Sequence, residues 1–310
     1  EIVFGDWSSD VCSSDLFLTP SLVKPLYLGN DGFGAPDQDL DRIDPVASGD
    51  VTTNRVAVAA GSLATIAVDA VSSGSAFEPA GPLAFNHTTG TGGNRLLLVG
   101  VSYEDDNTAG MAVNSVSYAG QPLVLVGRQV SPQEVVSEIW QLVNPPSGTA
   151  GVQVTMAGVG TGDSVFAGAI GFTGVDQAAP LGTLASAAGT GTAASVNVAS
   201  AAGELVFDVL ALDDARSAAV GAGQTQRWNG YTETVDLDGV RAAASTEPGA
   251  GSVTMSWTVG SDAWAVCAVP VRPAALVGEV VFTQTPDMAG PFTMPAGGAV
   301  TAREIGRAHG

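Results

Sequence analysis

The chain has 310 residues, 45% hydrophobic and only 14% charged, with a formal net charge of −20. Only two cysteines in 310 residues exclude a disulfide scaffold, and a single lysine, Lys24, excludes a helical bundle built from Ala, Glu, Lys, Leu and Arg. Nucleic acid and anionic membrane are not expected partners, because either needs clustered Lys and Arg to neutralise phosphates.

Residues 1–16 contain the run DWSSDVCSSDL (Asp6 to Leu16), and residues 304–310 contain EIGRAH (Glu304 to His309). The two runs resemble translated sequencing-adapter sequence read in opposite senses, and both ends are expected to be artefacts. Setting them aside removes Cys12 and His309, so Cys267 and His87 remain, while the acidity persists. With no initiator Met, no signal peptide and no apolar run of about eighteen residues, the chain reads as an internal piece of a longer protein without membrane insertion.

Residues 17–54 hold LGNDGFGAPDQDLDRIDPVASGD, rich in acids and turn formers without a sustained period, and read as a linker or the end of a preceding domain. Residues 55–273 change to short β-type runs separated by Gly, Ser, Thr, Asn and Pro. In SVTMSWTV the large residues Val253, Met255, Trp257 and Val259 share one face, against Ser252, Thr254, Ser256 and Thr258. AWAVCAVPV is apolar on both faces and reads as a central strand. VNSVSY and QPLVLVG, joined at Ala119-Gly120, form an expected hairpin. No amphipathic helix of three turns is present, so the expected fold is all-β, an antiparallel jelly-roll-like β-sandwich with little or no helix. Residues 274–303 restart a strand pattern with two proline turns and read as the start of a truncated second β module.

RLLLVGVSYE, VNSVSYAGQPLVLVG, EIWQLVNPPSGT, AGAIGFTGVDQAAPLGT, AAGELVFDVLA, GAGQTQRWN and SVTMSWTV with WAVCAVPVRPA together resemble a jelly-roll-like β-sandwich module of large secreted or surface-anchored bacterial proteins, over about Ala67 to Pro273. The resemblance implies an extracellular or cell-surface multidomain setting and no catalytic residues to carry over. Its motifs are structural: turn glycines, core tryptophans and a Pro-Pro turn.

A hydrolytic triad needs a histidine base, and only His87 remains, in FNHTTGTGG, where a loop-edge position is expected. Cys267 lies in an apolar strand and is expected to pack as a small hydrophobe. No catalytic residue is assigned. Paired carboxylates for glycoside hydrolysis are available after strands, at Glu104, Asp105 and Asp106, at Asp213 and Asp214, and at Asp236 and Asp238, with nothing in the sequence to say which face each other. The same groups suit calcium, which takes oxygen ligands only; Asp105, Asp106, Asn107, Asp236 and Asp238 are the candidates, and DQDLD (Asp37 to Asp41) lacks the glycine of an EF-hand loop. No cofactor is required. For sugar binding, GAGQTQRWNGYTE offers Gln224, Gln226, Arg227, Trp228, Asn229 and Tyr231, aromatic rings with amides beside them. The competing reading is that Trp228 plugs the core; Trp140, Trp257 and Trp264 lie in apolar strands and are expected there.

The expected function is a non-catalytic structural or adhesion module of an extracellular protein, with glycans or neighbouring domains of the same chain as partners. A carbohydrate-binding module is the alternative, and a glycoside-active enzyme the third reading.

Overall fold

The computed structural model describes residues 63–105, 110–132, 135–214, 216–232 and 239–275, and the backbone of strands β1 (Thr52–Ala57), β17 (Glu279–Pro286) and β18 (Thr301–Ala302). The chain divides into two units, Glu1–Leu63 with Ala275–Gly310, and Ala64–Ala274. In the first, β1 pairs antiparallel with β17 from Thr52↔Pro286 to Ala57↔Val281, and β18 joins β17 in parallel. Residues 55–57, placed by sequence in the sandwich, therefore pair with the C-terminal segment.

The larger unit is all-β and sandwich-like, built from three antiparallel sheets, none closed into a barrel, and no helix occurs among the described residues. The first sheet runs β2 (Ala67–Phe77), β10 (Ser164–Thr173), β4 (Leu96–Glu104), β8 (Val135–Val143), β7 (Val124–Val130). The second runs β3 (Leu83–Thr89), β9 (Gly148–Ala157), β5 (Ala112–Tyr118), β6 (Gln121–Pro122). The third runs β11 (Ala185–Ala199), β16 (Ser252–Val271), β12 (Leu205–Leu212), β15 (Arg241–Pro248), β14 (Thr225–Tyr231), with β13 (Ala218–Val220) also on β16.

Every residue of β4 is buried, because its sheet is covered on both faces. Leu97, Val99, Val101 and Tyr103 pack with Val116, Tyr118, Val152 and Val154 of the second sheet. Leu96 and Leu98 face the other way and pack with Phe207, Val209, Trp228, Ala244 and Val269 of the third. Small polar side chains stitch the first sheet to the third: Ser102 Oγ donates to Leu210 O at 3.0 Å and Ser137 Oγ to Val209 O at 2.9 Å. Each contact satisfies a hydroxyl that burial would otherwise leave costly.

SVTMSWTV and AWAVCAVPV, two separate runs in the sequence, are one strand of 20 residues. Its register against β11 slips between Gly191 and Ala193, opposite residues 258–262. The extra residues there bend the ribbon. The first half of β16 then covers β12 and β15, enclosing Val196, Leu210, Ala243, Met255, Trp257 and Trp264. Ala119 and Gly120 form the expected turn, with φ of 50° and 75°, but the hairpin holds only Ser117↔Pro122 and Tyr118↔Gln121. From Leu123 the chain leaves for the first sheet, where β7 pairs with β8. His87 is not at a loop edge: it lies inside β3, 1% exposed, because its register on β9 turns the ring inward against Tyr118.

Candidate functional site

Two strands of different sheets end in acids, β4 at Glu104-Asp105 and β12 at Asp213-Asp214. The tie from Ser102 to Leu210 sets these strands side by side, and two to four residues further on Glu104 meets Asp213 and Asp214. Carboxylate oxygens of all three lie within 4.8 Å of one another. Glu104 is 3% and Asp214 7% exposed. Arg216 spans Asp214 at 2.9 Å and Asp262 at 3.0 Å. Burial, and then the charge of Asp213, push the Asp214 carboxyl up to about 6, with Arg216 opposing. Three carboxylates crowded at this range form an oxygen-only set suited to a hard divalent cation.

This is not the set the sequence singled out for calcium. Asp105 is adjacent, yet its Oδ2 accepts the Met111 amide at 2.9 Å. Asp106, Asn107, Asp236 and Asp238 lie outside the described residues. The question of which carboxylates face each other has an answer for Glu104, Asp213 and Asp214, and it comes from packing between sheets.

The segment nominated for sugar binding is the edge strand β14 with the turn before it. Trp228 is in the core, 6% exposed, against Gly100, Gly168 and Phe207, and is unavailable for stacking on a ligand. A register slip between Gln226 and Trp228 makes Arg227 a bulge residue, and its guanidinium donates to Thr246 Oγ1 at 2.6 and 2.9 Å. Gln226, Asn229 and Tyr231 pair opposite Ser245, Ala243 and Arg241, on the face of the sheet away from Trp228. There Asn229 Nδ2 donates to Gln226 Oε1 at 3.1 Å, Arg241 Nη1 donates to Asn229 Oδ1 at 2.7 Å, and the Arg241 guanidinium lies 4.9 Å from the Tyr231 ring centroid. Tyr231 is 42% exposed. Gln224 turns inward to Ser245 and Ser256.

Other reactive groups are taken up inside. Ser72 Oγ and His87 Nδ1 are hydrogen bonded at 2.8 Å, and burial lowers the imidazole pKa while Asp69 opposes it. The Cys267 thiol bonds to Ser137 O, and burial pushes it up to about 12. Three buried acids were missed by sequence reasoning, Glu138, Asp208 and Asp163, the last accepting the Gly160 amide at 2.7 Å. Glu138 accepts from Tyr103 Oη at 3.2 Å and from Trp140 Nε1 at 2.8 Å, and burial raises its pKa. Asp208 is fully buried on β12 and accepts from Ser245 and Trp257. The available signal for Glu138 and Asp208 was an acid in the interior of a mostly apolar run, EVVSEIWQLV and ELVFDVLAL, since a charge is kept in such a place only with partners.

No protein-family model matches the chain, and no match is found among curated proteins or solved structures. The fold and these two regions define the class as an all-β, antiparallel, sandwich-like module.

Proposed function

We propose that the chain is a non-catalytic structural or adhesion module of an extracellular bacterial multidomain protein. The observation that carries this reading is where the polar chemistry goes: His87, Cys267, Ser102, Ser137 and Glu138 are spent on bonds between strands and sheets. Purified chain is expected to be retained on immobilised bacterial cells or polysaccharide without turning over chromogenic glycosides or esters. Turnover that Glu104→Gln abolishes would overturn this in favour of the glycoside-active enzyme.

The carbohydrate-binding alternative is favoured by the edge row Gln226, Asn229, Tyr231 and Arg241, where the exposed Tyr231 ring lies beside part-buried amide and guanidinium groups held by hydrogen bonds. On a glycan array, Tyr231→Ala is expected to weaken binding about tenfold, the equivalent of ~1.4 kcal/mol, with an unchanged melting temperature. Selective binding that survives Tyr231→Ala would rule out this face. Calcium belongs to the same reading as a stabiliser at Glu104, Asp213 and Asp214. At about 100-fold over its Kd it is expected to stabilise the fold by ~2.7 kcal/mol, an effect that EDTA and Asp213→Asn remove. A melting temperature indifferent to both calcium and EDTA would sink the calcium assignment.

A further inference from the structure

Ser245, Gln224, Asp208 and Ser256 form one connected set in the third sheet. Asp208 and Ser245 are direct cross-strand partners on β12 and β15, and both are fully buried. Gln224 lies just before β14 and reaches back over Ser245 to Ser256 of β16. The orientation of its carboxamide is fixed by chemistry. The Ser256 backbone N–H can only donate and lies 2.8 Å from Oε1, so Nε2 faces Ser245 Oγ at 2.7 Å. Ser245 Oγ accepts from Nε2, and its own proton points to Asp208 Oδ1, also at 2.7 Å.

These are the parts of an acyl transfer within one chain. A hydroxyl rests on a carboxylate base that takes its proton. The base is oriented by Trp257 Nε1, which donates to Asp208 Oδ2 at 2.7 Å, and by the Ser245 amide, which donates to Oδ1 at 2.7 Å. An amide sits against the hydroxyl, and its oxygen faces two donors, Ser256 N–H at 2.8 Å and Ser256 Oγ at 3.3 Å. The close approach depends on Gly221, where any Cβ would stand 2.2 Å from Ser256 Oγ and 2.7 Å from Gln224 Oε1.

We propose that Ser245 and Gln224 become joined by an intramolecular ester, formed by the protein itself with loss of one ammonia. Rotation about the Gln224 Cα–Cβ and Cβ–Cγ bonds brings the carbonyl carbon to Ser245 Oγ while Oε1 stays within reach of the Ser256 donors. The Oγ–Cδ bond forms as the hydroxyl proton passes to Asp208, and the charge on Oε1 is held by Ser256. The Cδ–Nε2 bond then breaks as Asp208 returns the proton to the departing nitrogen. Ammonia leaves, Asp208 is again a carboxylate, and no oxidant, metal or cofactor is consumed. Protonation of the released ammonia in solvent draws the exchange forward. The product staples β15 to the turn before β14, an edge strand otherwise held on one side. The base must be ionised. Burial and the Glu247 carboxylate hold Asp208 up to about 7, so the reaction quickens as pH rises through that value.

Intact mass spectrometry of the full chain after incubation at pH 8 tests this independently of any glycan or cell binding. The expected result is a mass lower by one ammonia, and a tryptic species joining the peptide with Gln224 to that with Ser245, although Arg227 and Arg241 lie between them. Hydroxylamine opens the link. Ser245→Ala and Gln224→Ala each retain the full unmodified mass; Gln224 is half-exposed, so its variant tests the link without opening the core. A wild-type mass equal to the sequence overturns the proposal, as does an ammonia loss that persists in either variant.

Discussion

Trp228→Ala is expected to destabilise the larger unit by about 3–5 kcal/mol, the range for deleting a buried aromatic side chain. The indole stands between the first and third sheets, its ring centroid 5.7 Å from that of Phe207. It rests on Gly168 so closely that any Cβ there would come within 2.4 Å of the ring. Strands of β10 and β14 are thus matched as bare backbone against a large side chain, and neither can change alone without a void or an overlap. Gly168→Ala is expected to be costly as well, because a close-packed layer cannot absorb the overlap. Indole Nε1 is buried with no hydrogen-bond partner among the described residues. Trp228→Phe, which removes that donor and keeps much of the volume, should therefore cost less than Trp228→Ala. Thermal or urea unfolding of the three variants supplies the check. A Trp228→Ala protein with wild-type stability would return Trp228 to the surface role considered from the sequence.

The strands were legible wherever one face is buried and the other wet. Val253, Met255, Trp257 and Val259 are all buried, and Ser252, Thr254 and Thr258 are exposed, as their alternation requires. AWAVCAVPV is wholly buried between β11 and β12, as its unbroken apolar run implied. Stacking was harder to see. A doubly buried strand such as β4 reveals that something covers both faces but not which sheets do. Tertiary pairing also overrode local turn chemistry after Gly120, where β7 gained a long partner in β8 and left the β5–β6 hairpin with two pairs. The candidate site was obscure for the same reason. Glu104 and Asp213 are 109 positions apart and meet only because hydroxyls at Ser102 and Ser137 lock two sheets in register. His87 looked like a loop residue because its neighbours are Asn, Thr and Gly. Its burial is decided by pairing with β9 and by Tyr118 across the sheet, neither of which is local.

Stability is expected to fall as pH rises from about 4 to about 7, and Asp208 to be the largest contributor. Desolvation by complete burial raises this carboxyl to about 7, although hydrogen bonds from Ser245 and Trp257 favour the ionised form. In the unfolded chain it titrates near its ordinary value of 3.8. Between those values the folded state binds a proton that the unfolded state does not, so ∂ΔG/∂pH is negative. The stabilisation is fully present below the unfolded pKa and is lost as pH passes the folded one. At ~1.4 kcal/mol per pKa unit the span reaches about 4 kcal/mol, an upper figure because unfolded chains keep some structure. Asp214, also raised, adds a slope of the same sign up to about pH 6. His87 acts the other way: burial lowers its pKa, so the unfolded imidazole takes up a proton first and stability is lost as pH falls below its unfolded value of 6.5. An ester at Ser245 would remove one donor from Asp208 and keep the sign of its contribution. Asp208→Asn isolates the effect. Its amide cannot accept from all three donors, so it should be less stable than wild type at low pH, and the difference should shrink toward pH 7 as the wild type loses its proton-linked advantage. Urea denaturation at half-unit intervals from pH 4 to 8 gives both curves, and a difference between them that does not vary with pH would mean that Asp208 is ionised throughout.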